Sequence, residues 1–299
     1  MSAKIVYGDV IAQSIYDRLA SEVPTLIESS GRRPVLVSIY VGSHPAIEVY
    51  IRSQNRIARR LGIEYRWYHL PDNAEETEVL RRLEQLNRDP EVTGIILQLP
   101  LPGHLRRSVL VNHIDPEKDV DGTHPENVGA AVTGEMRIGS CTALAVMRLL
   151  DATGIEIEGK EAVIVGHSEL VGKPVSLMLV DRLATVTISH IGTARRGLLA
   201  DHVRGDEVLV VAGGSPEIGK GDWIRQGAAV IDVGINQADS ELVGDVQFHA
   251  ARQRAAYITP VPGGVGPVTV SMLMKNTVTA FRLQIERKIV QTPFQEATG

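Results

Sequence analysis

Apolar and polar residues along the chain fall into two alternating textures, short runs rich in β-branched residues and longer stretches of helical period. The first short runs are PVLVSIYV at 34–41, IEYRWYHL from Ile63 and TGIILQLP from Thr93, with helical stretches between them. That is βαβαβ order, which predicts a mostly parallel sheet covered by helices. A second series begins with EAVIVG at 161–166 and continues through ATVTIS from Ala184, EVLVVAG from Glu207 and GAAVIDVG from Gly227. Between the two series, residues 115–141 are rich in Asp, Pro, Gly and Asn and have no period of their own, so the boundary belongs there. The expected fold is α/β in two domains, a first α/β domain from 1–140 plus 271–299 and a Rossmann-like parallel-sheet domain from 141–270. A last helix over about 267–288 is expected to return to the first domain.

Length and composition agree with that division. The 299 residues suit two domains at about 150 residues each, used as a soft prior. With 2 Trp, 7 Tyr and 3 Phe, the cores must be mainly aliphatic. A net charge of -5 and the lack of any long basic run argue against capture of nucleic acid, so the expected partners are small molecules. The single Cys141 allows no internal disulfide and no thiolate zinc cluster, and no metal site is expected. Asp9, Gln13 and Asp17 interrupt the apolar residues of the N-terminus, which resembles neither a secretory signal nor a membrane span. These features lead us to expect a cytoplasmic protein with no membrane partner.

The strand EAVIV runs into Gly166-His167-Ser168-Glu169-Leu170-Val171-Gly172 and then a helical stretch. A small-residue turn between strand and helix lets backbone amides approach a pyrophosphate. The match to G-x-G-x-x-G is imperfect, because Ser168 takes the second glycine's place and Gly172 falls one residue late. In NAD binders an acid at the end of the next strand holds the ribose 2'-hydroxyl. Here that region reads Ser189-His190-Ile191-Gly192-Thr193-Ala194-Arg195-Arg196, with two arginines and no acid, which favours NADP over NAD. A solvated helix face is the alternative reading of those arginines.

In the first domain, residues 43–62 read as a helix that Ser43 can cap, with Pro45 in its first turn and Gly62 at its end. Ile47, Tyr50, Gln54, Ile57, Ala58 and Leu61 are spaced to share one face, so Tyr50 and Gln54 are expected to point inward together. A polar pair in an apolar stripe needs partners or a wet cleft. Gln98-Leu99-Pro100 ends a strand, where ligands gather in open α/β sheets. The turn at 115–122 is acidic, and the loop at 260–267 holds too much Gly and Pro for a regular element.

Taken in order, these segments resemble the bifunctional methylenetetrahydrofolate dehydrogenase/methenyltetrahydrofolate cyclohydrolase family. The resemblance runs from about Ile5 to Arg287. Its carriers are GIILQLPLP at 94–102, DPEKDVDG at 115–122, the G-x-S-x-x-x-G-x-P turn from Gly166, VIDVGIN at 230–236 and ITPVPGGVGPVTV at 258–270. It implies a folate-binding domain, an NADP-binding domain, a folate cleft between them and a homodimer. It also implies that Tyr50, Gln98 and Asp121 act at the folate, together with Gln54, which stands where the family has its catalytic lysine. Leu97, Leu99, Pro262, Gly263, Gly264, Val265, Gly266, Pro267 and Thr269 would line the substrate. Gly166, His167, Ser168, Gly172, Arg195 and Ile235 would hold the cofactor.

The chain holds 7 Lys against 24 Arg, and a bias of that kind would turn lysine into arginine rather than glutamine. Two further departures are Ile47, in place of the family's serine, and Ser140-Cys141-Thr142-Ala143, in place of its Pro-Cys-Thr-Pro. Hydride transfer chiefly requires two oriented rings. Hydrolysis of the methenyl product requires acid–base work that an amide cannot do. The expectation is NADP-dependent oxidation of methylenetetrahydrofolate with weak or lost cyclohydrolase activity. Transfer of the methylene unit to another acceptor, and full bifunctionality, remain open alternatives.

Overall fold

The computed structural model describes residues 2–238 and 241–291, and the chain divides into two compact units. One comprises Tyr16–Asn127 and Leu273–Gly299, the other Met1–Ile15 and Val128–Met272. The strands are β1 Lys4–Ile5, β2 Val35–Val41, β3 Glu64–Leu70, β4 Gly94–Leu97, β5 Glu161–Val165, β6 Thr185–Ser189, β7 Val208–Val211, β8 Ala229–Asp232, β9 Asn236–Ala238, β10 Glu241–Val243 and β11 Tyr257–Ile258.

In the first unit, β2 lies between β3 and β4, parallel to both, as the βαβαβ pattern predicts. Every residue of β2 is buried, as expected for a parallel strand covered on both faces. Side chains alternate across the sheet. Val35, Val37, Ile39 and Val41 join Ile95, Leu97 and the buried face of helix Glu76–Arg88 in one aliphatic core. Leu36, Ser38, Tyr40 and Gln98 therefore take the opposite face.

The second unit is built on a six-stranded sheet in the order β1-β11-β8-β7-β5-β6, parallel at every pairing. The chain moves from β5 outward to β6, then crosses back to β7 on the other side of β5. The carboxyl end of β5 is thus a topological switch point, where α/β sheets open a crevice for ligands. A separate antiparallel pair, β9 and β10, follows β8.

The division by contacts differs from the expected one. Residues 1–15 group with the six-stranded unit because β1 pairs with β11, a long-range partnership that local pattern cannot reveal. Residues 128–140 also group there, with Ser140 Oγ donating to Leu170 O at 2.5 Å. The C-terminal helix Val265–Gln291 forms as expected, and from Leu273 onward it belongs to the three-stranded unit. There Asn276 Nδ2 donates to Val120 O at 2.9 Å and Gln284 Nε2 to Thr93 O at 2.9 Å. Among the described residues no helix is long and apolar enough to cross a membrane, and no group of three His, Cys, Asp or Glu side chains could hold a metal ion.

Candidate active site

Helix Pro45–Arg60 brings Gln54 over the sheet face that carries Ser38 and Gln98. Pro45 stands at the first helical position, so His44 becomes the N-cap and the expected Ser43 cap is not used. Gly62 ends the helical segment at φ +79°, which favours glycine. The buried stripe of the helix is Ile47, Ile51, Gln54, Ala58 and Leu61. It runs through Ile51 rather than Tyr50, which corrects the inward placement expected for Tyr50. That side chain sits at the stripe's margin, 37% exposed, while Gln54 is fully buried.

Gln54 enters a closed polar ring. Tyr65 Oη donates to Gln54 Oε1 at 2.7 Å, and Gln98 Nε2 donates to the same oxygen at 3.0 Å. Gln98 Nε2 also donates to Ser38 Oγ at 3.0 Å, and the Ser38 hydroxyl hydrogen-bonds the Tyr65 phenol. Burial pushes the Tyr65 phenol far above the usual tyrosine range, so it stays protonated and remains a donor. Gln54 Nε2 is buried with no hydrogen-bond partner. Ser38 and Tyr65 were missed in the sequence, although a lone serine inside PVLVSIYV is a signal that could have found the first.

The acidic turn divides into structural and candidate residues. Lys118 Nζ donates to Leu86 O, Asn87 O and Asp89 O at 3.0, 2.6 and 2.7 Å, closing the carboxyl end of helix Glu76–Arg88, and burial lowers its pKa. Asp119 Oδ2 accepts from His124 N and Asn127 Nδ2 at 2.7 and 3.0 Å. Asp121 follows this braced turn in a half-buried position. The turn runs beside β4, with Ile95 N donating to Lys118 O at 2.7 Å. Leu97 lies in the aliphatic core, because it shares the face of Ile95, so it is not a substrate-lining side chain as expected. Leu99 is half-buried.

In the six-stranded unit, the turn from Gly166 leaves β5 at the switch point. Gly166 has φ +133°, and a Cβ there would lie 2.3 Å from Ala212 O. A Cβ on Gly172 would lie 2.1 Å from Gly166 O. Gly172 therefore provides the close packing of the fingerprint's third glycine despite its late position. Ser168 Oγ accepts from Val171 N at 3.1 Å, and His167 is exposed with its ring 5.1 Å from that of His190. His190 caps the short helix Ile191–Arg195, which places an exposed Arg195 just past β6. Ile235 is also exposed.

Two acids missed in the sequence brace the loops at the same end of the sheet. Asp232 accepts from the backbone N–H groups of Gly234, Asp245 and Val246 at 2.9–3.0 Å, yet burial pushes it up to about 7, with the neighbouring Asp245 acting in the same direction. Asp245 accepts from Gly214 N, Ser215 N and Asn236 Nδ2 at 2.8, 3.1 and 2.8 Å. In the Pro-Gly loop, Pro262 is exposed and Gly263 O accepts from Gly8 N at 2.8 Å. Gly264 and Val265 are buried, Gly266 and Pro267 are half-buried, and Thr269 Oγ1 turns back onto Val265 O at 3.2 Å.

Family models match both halves of the chain. Residues 6–121 match the tetrahydrofolate dehydrogenase/cyclohydrolase catalytic domain, and 140–285 match the NAD(P)-binding domain of the same family. The chain belongs to the tetrahydrofolate dehydrogenase/cyclohydrolase family. The bifunctional protein FolD of Halothermothrix orenii is 48% identical over 93% of this chain and 97% of its own. Bifunctional protein FolD 2 of Geobacter sulfurreducens is 46% identical over 94% of this chain and 98% of its own. The Trypanosoma brucei FolD structure, solved with NADP cofactor and an inhibitor, is 41% identical and superposes with a TM-score of 0.90, covering 97% of this chain and 99% of that one. This is a dehydrogenase/cyclohydrolase enzyme family, and the two-domain α/β fold read from the sequence is the family's own.

Proposed function

We propose that the protein oxidises 5,10-methylenetetrahydrofolate to 5,10-methenyltetrahydrofolate with NADP, and that its cyclohydrolase activity is weak or lost. The observation that carries the reading is Gln54, a fully buried amide whose oxygen is already engaged by Tyr65 and Gln98. Oxidation removes a hydride from the methylene carbon and leaves its cationic product stabilised by the two adjoining nitrogens, with no side-chain proton transfer. Hydrolysis adds water to that carbon and needs a group that takes up and returns a proton. A carboxamide does neither in the working range of an enzyme.

Tyr50, at the exposed margin of its helix, is assigned on the resemblance to hydrogen-bond the reacting end of the folate. Asp121 suits the amino and ring N–H donors of a pterin, which a carboxylate accepts as a pair. The donor set past β5 and β6 fits NADP, because His167, Ser168 and Arg195 are exposed and residues 189–196 contain no acid. When bound, NADP supplies the hydride acceptor. Loop 260–267 and Thr269 are assigned to the folate on the resemblance.

Purified protein is incubated with methylenetetrahydrofolate and NADP while reduced nicotinamide and the methenyl chromophore are followed together. Equal accumulation of the two is expected. Reduced nicotinamide without methenyl would reveal intact hydrolysis and overturn the reading, and neither signal with folate bound would redirect it to methylene transfer.

A further inference from the structure

We infer that Asp245 is a positioning residue for the cofactor, one that sets the loops past β7 and β8 so that they hold the nicotinamide half of NADP. The inference rests on the reading of NADP as the cofactor.

The β9–β10 hairpin pairs Asn236 with Val243 and so returns Asp245 to the carboxyl end of β8. There its carboxyl group is fully buried and joins three segments. Oδ2 accepts from Gly214 N at 2.8 Å, and Oδ1 accepts from Ser215 N at 3.1 Å and Asn236 Nδ2 at 2.8 Å. The Asp245 backbone N–H donates to Asp232 Oδ1 at 2.9 Å, the oxygen that also takes the N–H of Gly234 at 3.0 Å. The fit is close, because a Cβ on Gly234 would overlap the Asp245 carboxyl. Two loops, 213–215 and 233–236, therefore share one buried anchor, while residues 213–215 and Ile235 are themselves exposed.

The place of these loops in the sheet says what they hold. A dinucleotide lies across the switch point of such a sheet. The Gly166 turn and Arg195 stand past β5 and β6, on one side of that point, and supply the donors for the phosphates. The other half of the cofactor must then extend toward β7 and β8. Gly166 packs on Ala212 O, so the glycine turn and loop 213–215 flank one crevice.

The anchored loops suit an uncharged ring better than a phosphate. Gly214 and Ser215 turn their N–H groups onto Asp245, so those amides are not offered to an anion. Ile235 presents an apolar side chain, 65% exposed, between two residues that are both tethered. Fixing that surface in advance removes the entropy cost of ordering it from the binding step. Asp245 is sealed from solvent and acts only through the loops.

The test measures, by titration calorimetry on the full-length protein, the affinity for NADP and for adenosine 2',5'-bisphosphate, the fragment that lacks the nicotinamide half. Asp245→Asn keeps the size of the side chain and one oxygen, and it removes the repulsion with Asp232. If that oxygen serves Ser215 and Asn236, the new N–H2 is set against the N–H of Gly214, which releases loop 213–215. The Kd for NADP is expected to rise about tenfold, the scale of a lost hydrogen bond, with the Kd for the fragment changed less than about twofold. If Asp245→Asn does not fold, Asn236→Ala takes its place, with a rise of about threefold for NADP and none for the fragment.

Unchanged NADP affinity in the folded variant would overturn the inference. So would an equal loss for NADP and the fragment, which would make Asp245 a general support of the domain. Wild-type protein that binds neither ligand would overturn the cofactor reading and this inference with it. Wild-type binding of both, matched by the variant, overturns the role of Asp245 alone.

Discussion

Gln98 Nε2 joins Ser38 Oγ and Gln54 Oε1, each at 3.0 Å, so one side-chain amide ties the sheet to helix Pro45–Arg60. All three residues are nearly or fully buried. Gln98→Ala would remove both donated bonds and leave buried oxygens short of partners. A loss of about 1–3 kcal/mol in unfolding free energy is expected from the orphaned groups. Because Gln98 also helps to orient Gln54, kcat/KM for methylenetetrahydrofolate should fall at least about tenfold, a loss of about 1.4 kcal/mol in transition-state binding. Urea unfolding and steady-state kinetics on the same preparation check both, and unchanged kinetics would refute the orienting role.

Arg195 stands just past β6 on a helix fixed by the His190 cap. If it meets the 2'-phosphate of NADP, Arg195→Ala should raise KM for NADP by about tenfold or more, the worth of a charge-assisted hydrogen bond. KM for NAD should stay unchanged, because NAD lacks that phosphate. Parallel titrations with the two cofactors measure the difference. Equal losses with both would return Arg195 to a solvated helix face.

Local pattern reached most of the scaffold because a parallel strand declares itself as a short apolar run. It also found the glycine turn, since Gly166 and Gly172 meet each other within seven residues of chain. The features outside its reach are set by strand pairing, register and packing rather than by local period. β1 joins β11 across about 250 residues, which moved the N-terminus into the other unit. Tyr65 reaches Gln54 only through the register of β3 on β2. Tyr50 was misplaced because helical spacing defines a broad face, whereas packing selected Ile51 for its centre. Asp232 ends an apolar strand, and its brace with Asp245 closes a loop that neither segment reveals alone.

Gln54→Lys tests the account of the weak hydrolysis. A lysine at this position would meet Tyr65 Oη and Gln98, and burial would lower its pKa toward the range useful for proton transfer. Decay of the methenyl chromophore should accelerate at least about tenfold over the parent, within the usual contribution of acid–base catalysis. Dehydrogenase kcat should change much less. If the chromophore persists, Ile47 or the 140–143 segment must also restrain the hydrolytic step.

Asp206 gives the stability profile its sign. It is 1% exposed, its carboxyl oxygens meet no hydrogen-bonding group beyond its own backbone N–H, and burial pushes its pKa up to about 8 against the smaller downward pull of that N–H. The Arg225 guanidinium pulls the other way but is engaged on Gly205 O at 3.1 Å. In the unfolded chain the same group titrates near about 4. Between those values the folded state holds a proton that the unfolded state has released, so unfolding free energy falls as pH rises across the window. The effect is absent below about pH 4 and complete above about pH 8, where it amounts to a few kcal/mol. Asp206→Asn keeps the shape of the neutral acid and cannot ionise. The variant should therefore melt with the wild type at pH 4 and above it at pH 8. A wild-type advantage at pH 8 would mean that the Asp206 carboxylate is stabilised in the folded protein.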